Sequence, residues 1–234
     1  MIKRISNAEA WEGLADCRSC AIRNSVLFSG LHESDFDTIH RPIDQMVFRS
    51  GAEIYSQDDP ASSIMTIRSG LVKLTQYLPD GTQRIVRLLC NTDIVGLEAM
   101  VASNYEHSAI ALHETHICRI PVETVRDLSR NRVSLYDDLM RRWHRALSDA
   151  DRWITEFGTG PAEARVARLL IWLSERNQDD HCELFGREDL GALLGLTTET
   201  VSRKMANFKR QGVIQEFGQN KFRCDLQKLR AMVD

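Results

Sequence analysis

REDLGALLGLTTETVSRKMANFKRQGVI, residues 187–214, holds two short amphipathic helical patterns joined at a glycine. Leu190, Leu193 and Leu194 form the apolar side of the first pattern. Gly195 permits a tight turn, and Thr197 is placed to cap a second helix from Thr198 to about Gln211. On that second helix Val201, Met205 and Phe208 fall at helical spacing and face inward, which leaves Glu199, Ser202 and Arg203 together on the outward N-terminal side. This is the pattern of a helix-turn-helix. The N-terminal part of its second helix is the part that enters a DNA major groove. There Glu accepts from cytosine N4, Arg grips guanine O6 and N7, and Ser serves either base. Thr198 stands at the mouth of the same helix, and Lys204, Lys209 and Arg210 are the expected phosphate contacts. After Gly212, "VIQEFGQNKFRC" reads as a two-stranded wing turning at Gly218-Gln219-Asn220, with Lys221 and Arg223 available to the DNA backbone.

Working back toward the N-terminus, "FGTGPAEARV" interrupts helical periodicity with Gly158, Gly160 and Pro161 and marks an expected hinge. Before it lies a long polar-apolar run that starts at Ser134. Tyr136, Leu139, Trp143, Ala146, Ala150, Trp153 and Phe157 step alternately by three and four, the spacing of a coiled-coil seam. A second apolar line, Met140, Leu147 and Ile154, repeats every seven residues. The expectation is a parallel homodimer helix whose interface is Leu139, Trp143, Ala146, Ala150, Trp153 and Phe157, with one line facing the second subunit and the other the protein's own β-domain. From about Ile43 to Pro121, short apolar runs alternate with turn signals, Asp80-Gly81 the sharpest of them, as strands of a sandwich or rolled barrel do.

The expected fold class is therefore α+β in three parts. Residues 1–121 hold an N-terminal cysteine segment and a sensory β-roll, 122–158 a short helix and the dimerisation helix, and 159–234 a winged helix-turn-helix. The chain is 43% hydrophobic and 27% charged with a formal net charge of −3, so any basic surface must be local. There is no signal-peptide pattern and no apolar run long enough to span a bilayer, which points to a cytoplasmic protein with no membrane partner. An enzyme is not expected: no Gly-rich phosphate loop, HExxH or GxSxG motif occurs, and the acid pairs Asp58-Asp59 and Asp179-Asp180 read as turn residues. A scaffold whose roll binds a ligand, and whose helix-turn-helix contacts protein instead of DNA, is the alternative of another class.

The order of these parts resembles the CRP/FNR superfamily of bacterial transcription regulators, over roughly residues 15 to 230. "LGLTTETVSR" is similar to the motif of its FNR-like branch, whose residues matching Glu199, Ser202 and Arg203 read a TTGAT- or TTGAC-type half-site. The resemblance implies double-stranded DNA carrying an inverted repeat, a second copy of the chain and RNA polymerase as partners. In the cyclic-nucleotide branch an Arg neutralises the cyclic phosphate. Here "VGLEAMVASNYEHSA" displaces Glu98 by one position and puts His107 where that Arg stands, so cyclic AMP is not expected.

The oxygen-sensing branch holds a [4Fe-4S] cluster with four cysteines. Among the six cysteines here, Cys17 and Cys20 match its C-x-x-C pair, and Cys118 in "ETHICRIPVETV" matches its fourth. The third position is Val26. Several readings of the site stay open: a cluster completed by His32, Asp16 or the more distant Cys90, a thiol–disulfide switch, another effector such as haem, or no cofactor. No role is assigned to His113 or His116. In oxygen-responsive members an acidic residue on the dimer seam repels its twin, and the matching position here is Ala150, which implies a dimer that does not wait for a cofactor.

Overall fold

The structure is a computed structural model that describes residues 3–4, 7–17, 19–20, 22, 26–29, 31–32, 35, 42–176 and 181–233. Asp179 and Asp180, expected in a turn, lie outside the described residues. The chain forms two compact units, one of Met1–Gln76 with Leu88–Leu147 and one of Tyr77–Arg87 with Ser148–Asp234. That boundary falls inside the long helix, ahead of the Gly158–Pro161 stretch.

The elements of the N-terminal half are β1 (Lys3–Arg4), α1 (Asn7–Ala10), β2 (Trp11–Leu14), β3 (Asp44–Phe48), β4 (Ala52–Tyr55), β5 (Ser63–Ser69), β6 (Val72–Tyr77), β7 (Gln83–Leu89), β8 (Ile94–Val95), β9 (Ser108–Ala111) and β10 (Thr115–Pro121). They make two five-stranded sheets, ordered β1-β4-β9-β6-β7 and β2-β3-β10-β5-β8. Alternation along each strand sends one set of side chains into a shared core, where Phe48, Met46, Ile67, Leu74 and Ile117 are almost fully buried. β10 is the central strand of the second sheet. Its register sets Cys118 opposite Gln45 on one side and Thr66 on the other, while Arg119 lies opposite Asp44 and Met65. Arg119 and Asp44 are ion-paired at 2.6 Å.

α2 (Val122–Asn131) and α3 (Val133–Arg152) follow, and α3 continues into a π turn, Trp153–Phe157. α3 is held on the first unit by Leu135 and Leu139, 2% and 4% exposed, and by Arg142. Arg142 pairs with Asp138 at 2.9 Å and donates to the Thr92 carbonyl at 3.2 Å. The six residues expected on the dimer seam divide here. Leu139, Trp153 and Phe157 are buried within their own chain. Trp143, Ala146 and Ala150 are half-buried, and Met140, Leu147 and Ile154 stand exposed with Val133 and Tyr136. The reason is rotational. Leu139 and Met140 are neighbours on a helix that turns about 100° per residue, so both lines keep a heptad repeat and only packing chooses which goes inward.

The second unit contains α4 (Ala162–Arg176), β11 (His181–Glu183), α5 (Arg187–Leu194), α6 (Thr198–Arg210), β12 (Ile214–Gly218), β13 (Lys221–Cys224) and α7 (Leu226–Ala231). The wing is three-stranded, ordered β11-β13-β12, because β11 pairs antiparallel with β13. Cys182 and Cys224 face each other in its core with sulfurs 3.3 Å apart. Their hydrogen bond, with burial, pushes the Cys182 thiol far above the usual range, so it packs as a small neutral group. Among the described residues no helix is long and apolar enough to cross a membrane.

Candidate nucleic-acid interface and cysteine cavity

The helix-turn-helix forms from the residues the sequence singled out. α5 ends at Gly195, whose φ of 61° is left-handed and suits a glycine at this turn. The Thr197 hydroxyl then accepts from the Thr200 N–H at 3.2 Å and caps α6. Arg165 of α4 donates to the last carbonyl of α5, Leu194, at 2.7 Å, fixing the turn from behind. Val201, Met205 and Phe208 are buried. On the opposite side Thr198, Glu199, Ser202 and Arg203 are exposed together at the N-terminal end of α6, with Arg203 3.6 Å from Glu199.

The expected phosphate contacts divide. Arg210 is exposed on α6, where its guanidinium reaches Asn207 on the same helix, at 3.5 Å. Lys204 is paired with Glu163 of α4 at 3.0 Å, and Lys209 is paired with Glu216 of β12 and lies 5.2 Å from the Phe222 ring centroid. These two lysines brace α6 against its neighbours. In the wing, Lys221 sits 3.5 Å from Glu183 and Arg223 reaches His181 at 3.3 Å. Such exposed or half-exposed pairs are each worth about 0–1 kcal/mol, little against a phosphate with its counterion release. Sequence spacing showed none of these partners, because the acids come from α4, β11 and β12.

In the first unit, Cys17, Cys20 and Cys118 line one cavity of about 30 Å³, together with Val26, Thr66 and apolar neighbours such as Ile120. The N-terminal segment is held beside α2 by Asp35, which accepts from Arg132 at 2.5 Å and from the His32 N–H at 2.8 Å. Burial pushes the Cys118 thiol up to about 11, with Arg68 pulling down and Cys20 adding to the rise. Near neutral pH it is a neutral thiol. The three matched cysteines thus line one cavity, and Val26 lines it with them. The alternative ligands do not join them. His32 is exposed, Asp16 bonds Ser19 at 2.8 Å, and the Cys90 thiol donates to Asp93 at 3.6 Å. Among the described residues no group of three metal-ligating side chains stands close enough to hold an ion. A cubane needs four ligands, so this donor set does not fit a four-cysteine cluster.

A second cavity of about 240 Å³ lies inside the roll, bordered by Met46, Met65, Ile117, Arg119 and the stacked Tyr55 and Tyr105. Alternation along β10 puts the two cavities on opposite faces of one strand, Cys118 toward the first and its neighbours Ile117 and Arg119 toward the second. Glu98 and His107, the residues matching a cyclic-nucleotide cassette, border neither.

Comparison with known proteins matches residues 45–132 to the Cyclic nucleotide-binding domain family and residues 164–232 to the Crp-like helix-turn-helix domain family. The chain is 29% identical over 211 residues to the Transcriptional activator protein anr of Pseudomonas aeruginosa, covering 87% of this chain and 86% of that protein. It is 28% identical over 209 residues to the Fumarate and nitrate reduction regulatory protein of Vibrio cholerae, covering 86% and 84%. Among solved structures, FixK2 from Bradyrhizobium japonicum superposes with a TM-score of 0.75 at 25% identity, over 81% of this chain and 96% of that one.

Proposed function

We propose that the chain is a DNA-binding transcription regulator of the CRP/FNR type, and that it acts as a homodimer that reads an inverted repeat of TTGAT- or TTGAC-type half-sites. The observation that carries this reading is the exposed group Thr198, Glu199, Ser202 and Arg203 on a capped helix. All four lie at the end that enters a major groove. A second copy related by a two-fold axis presents the same group to the other half-site, which requires the repeat. The exposed heptad line Val133, Met140, Leu147 and Ile154, with Tyr136 and Trp143 between, supplies the parallel seam. RNA polymerase as a further partner follows from the family alone.

Replacing Arg203 with alanine removes the bidentate guanine contact and is expected to weaken specific binding by about 1–3 kcal/mol, roughly 5- to 150-fold, while sparing binding to random duplex. Fluorescence anisotropy on the inverted repeat and on a scrambled duplex at one salt concentration reads both. Equal loss on the two would reject base reading by Arg203. Salt-insensitive association with neither duplex favoured would support the scaffold reading.

The signal we assign to the cysteine cavity is redox. Three thiols that share a small cavity with Val26 suit thiol chemistry better than a cluster. In that chemistry the Cys17 and Cys20 thiols become a disulfide, giving two protons and two electrons to a low-molecular-weight disulfide, which is reduced to two thiols. Cys118, held neutral, is the slow partner. Alkylation at pH 8 followed by mass spectrometry is expected to label Cys17 and Cys20 ahead of Cys118, and oxidised glutathione to abolish labelling of the pair. Protein purified without oxygen is expected to carry no stoichiometric iron or sulfide. A brown preparation with four irons per chain would overturn the thiol reading and call for a fourth ligand outside this cavity. Cyclic AMP finds no guanidinium at His107 to meet its phosphate.

A further inference from the structure

We infer that the end of the long helix is a rigid part of the DNA-reading unit, locked there by Arg168, and that this lock sets the spacing between half-sites that the dimer accepts. The inference rests on the dimeric, inverted-repeat reading above. Gly158, Gly160 and Pro161 look like a loose joint in the sequence, yet the structure closes that joint from inside. The Arg168 guanidinium on α4 donates from one nitrogen to the Glu156 carbonyl at 2.6 Å and to the Thr159 carbonyl at 3.0 Å. At a free helix end such carbonyls are left to water. Here a cation satisfies them and also matches the negative end of the helix dipole.

The packing agrees with this. The π turn Trp153–Phe157 closes with the Gly158 N–H on the Trp153 carbonyl at 3.1 Å, a five-residue step wider than an α turn. Trp153 and Phe157, four residues apart on this turn, are both buried. Their centroids are 4.1 Å apart, and Trp153 meets Trp172 edge-on at 5.3 Å. Arg176 continues the seal, with its guanidinium 5.1 Å from the Trp172 centroid and 4.0 Å from Asp149. Everything from Ser148 onward therefore belongs to one compact unit. In a dimer joined along α3, a reader fused to the helix end has one reach, whereas a reader on a loose joint accepts several. DNA repeats about every 34–36 Å along its axis, so reach converts directly into spacer preference.

The test compares wild type, Arg168→Ala and Arg168→Lys on TTGAT inverted repeats whose central spacer varies by up to two base pairs either way. Wild type is expected to prefer one spacing by about tenfold or more, near the cost of one mismatched position. R168A is expected to compress that preference to within about threefold while half-site base preference and melting midpoint hold. R168K, which keeps a donor, is expected to recover part of it. A sharp spacing preference in R168A, or equal loss at all spacings, overturns the inference. Amide exchange needs no DNA: residues 154–160 are expected to exchange at least about tenfold faster in R168A, with α6 unchanged. If wild type binds no inverted repeat, the functional reading fails, and exchange alone then judges the lock. Should R168A not fold, Trp172→Phe, which thins the contact with Trp153, takes its place in both measurements, and unchanged spacing and exchange there count against the lock.

Discussion

Leu147→Asp is expected to split the proposed dimer. Leu147 is 59% exposed and Ile154 69%, on a line where apolar side chains recur every seven residues. In a parallel two-stranded seam each residue on this line lies against its own twin. One substitution therefore removes two leucines from the interface and sets two carboxylates against each other. Burying a leucine is worth about 1.5–3 kcal/mol, and opposed like charges cost several more. Even about 4 kcal/mol raises a dimer dissociation constant roughly a thousandfold. Sedimentation at micromolar concentration is expected to show a folded monomer, with inverted-repeat affinity lost and half-site affinity kept. Leu139→Asp is the contrasting case. Leu139 is 4% exposed against the protein's own roll, so a charge there is expected to destabilise folding itself. If Leu147→Asp stays dimeric while Leu139→Asp dissociates without unfolding, the seam is the other line.

That pair of residues also shows what the sequence could carry. A heptad repeat reports that an apolar stripe exists, and two stripes one residue apart report it twice. Nothing local says which faces the roll, since that depends on long-range neighbours such as the Thr92 carbonyl that Arg142 reaches. The helix-turn-helix was legible because its determinants are local: a glycine forced to positive φ, a threonine cap three residues before the N–H it accepts from, and apolar residues at helical spacing. Gly195, Thr197 and Val201 fill those roles in the fold. The wing reads as two strands in the sequence because β11 is three residues long and joins the sheet from the far side of α5. Lys204 and Lys209 read as phosphate contacts in the sequence because their partners, Glu163 and Glu216, sit on other elements. That Cys118 lines the same cavity as Cys17 and Cys20 is legible only through family resemblance, and the structure adds that Val26 shares that cavity.

Gly191→Ala is expected to damage the DNA reader more than its chemistry suggests. Alanine is the better helix former by about 1 kcal/mol, and Gly191 lies inside α5, so propensity alone favours the change. Space opposes it. A Cβ at Gly191 would stand 2.6 Å from the Leu196 carbonyl oxygen and 3.5 Å from the Thr198 nitrogen, and both are backbone atoms. The peptide that must yield carries the chain from the Gly195 turn into the cap of α6, where the Leu196 N–H already donates to the Gly191 carbonyl at 3.0 Å. Overpacking against atoms that cannot change rotamer costs about 1–3 kcal/mol, and this site belongs at the upper end. Because α6 starts from the displaced segment, Glu199, Ser202 and Arg203 move with it. Thermal or urea unfolding of the variant is expected to show a destabilised C-terminal unit, and binding to the inverted repeat to fall further than that destabilisation accounts for. A variant as stable as wild type, with unchanged affinity, would mean that α5 can back away from the turn without moving α6.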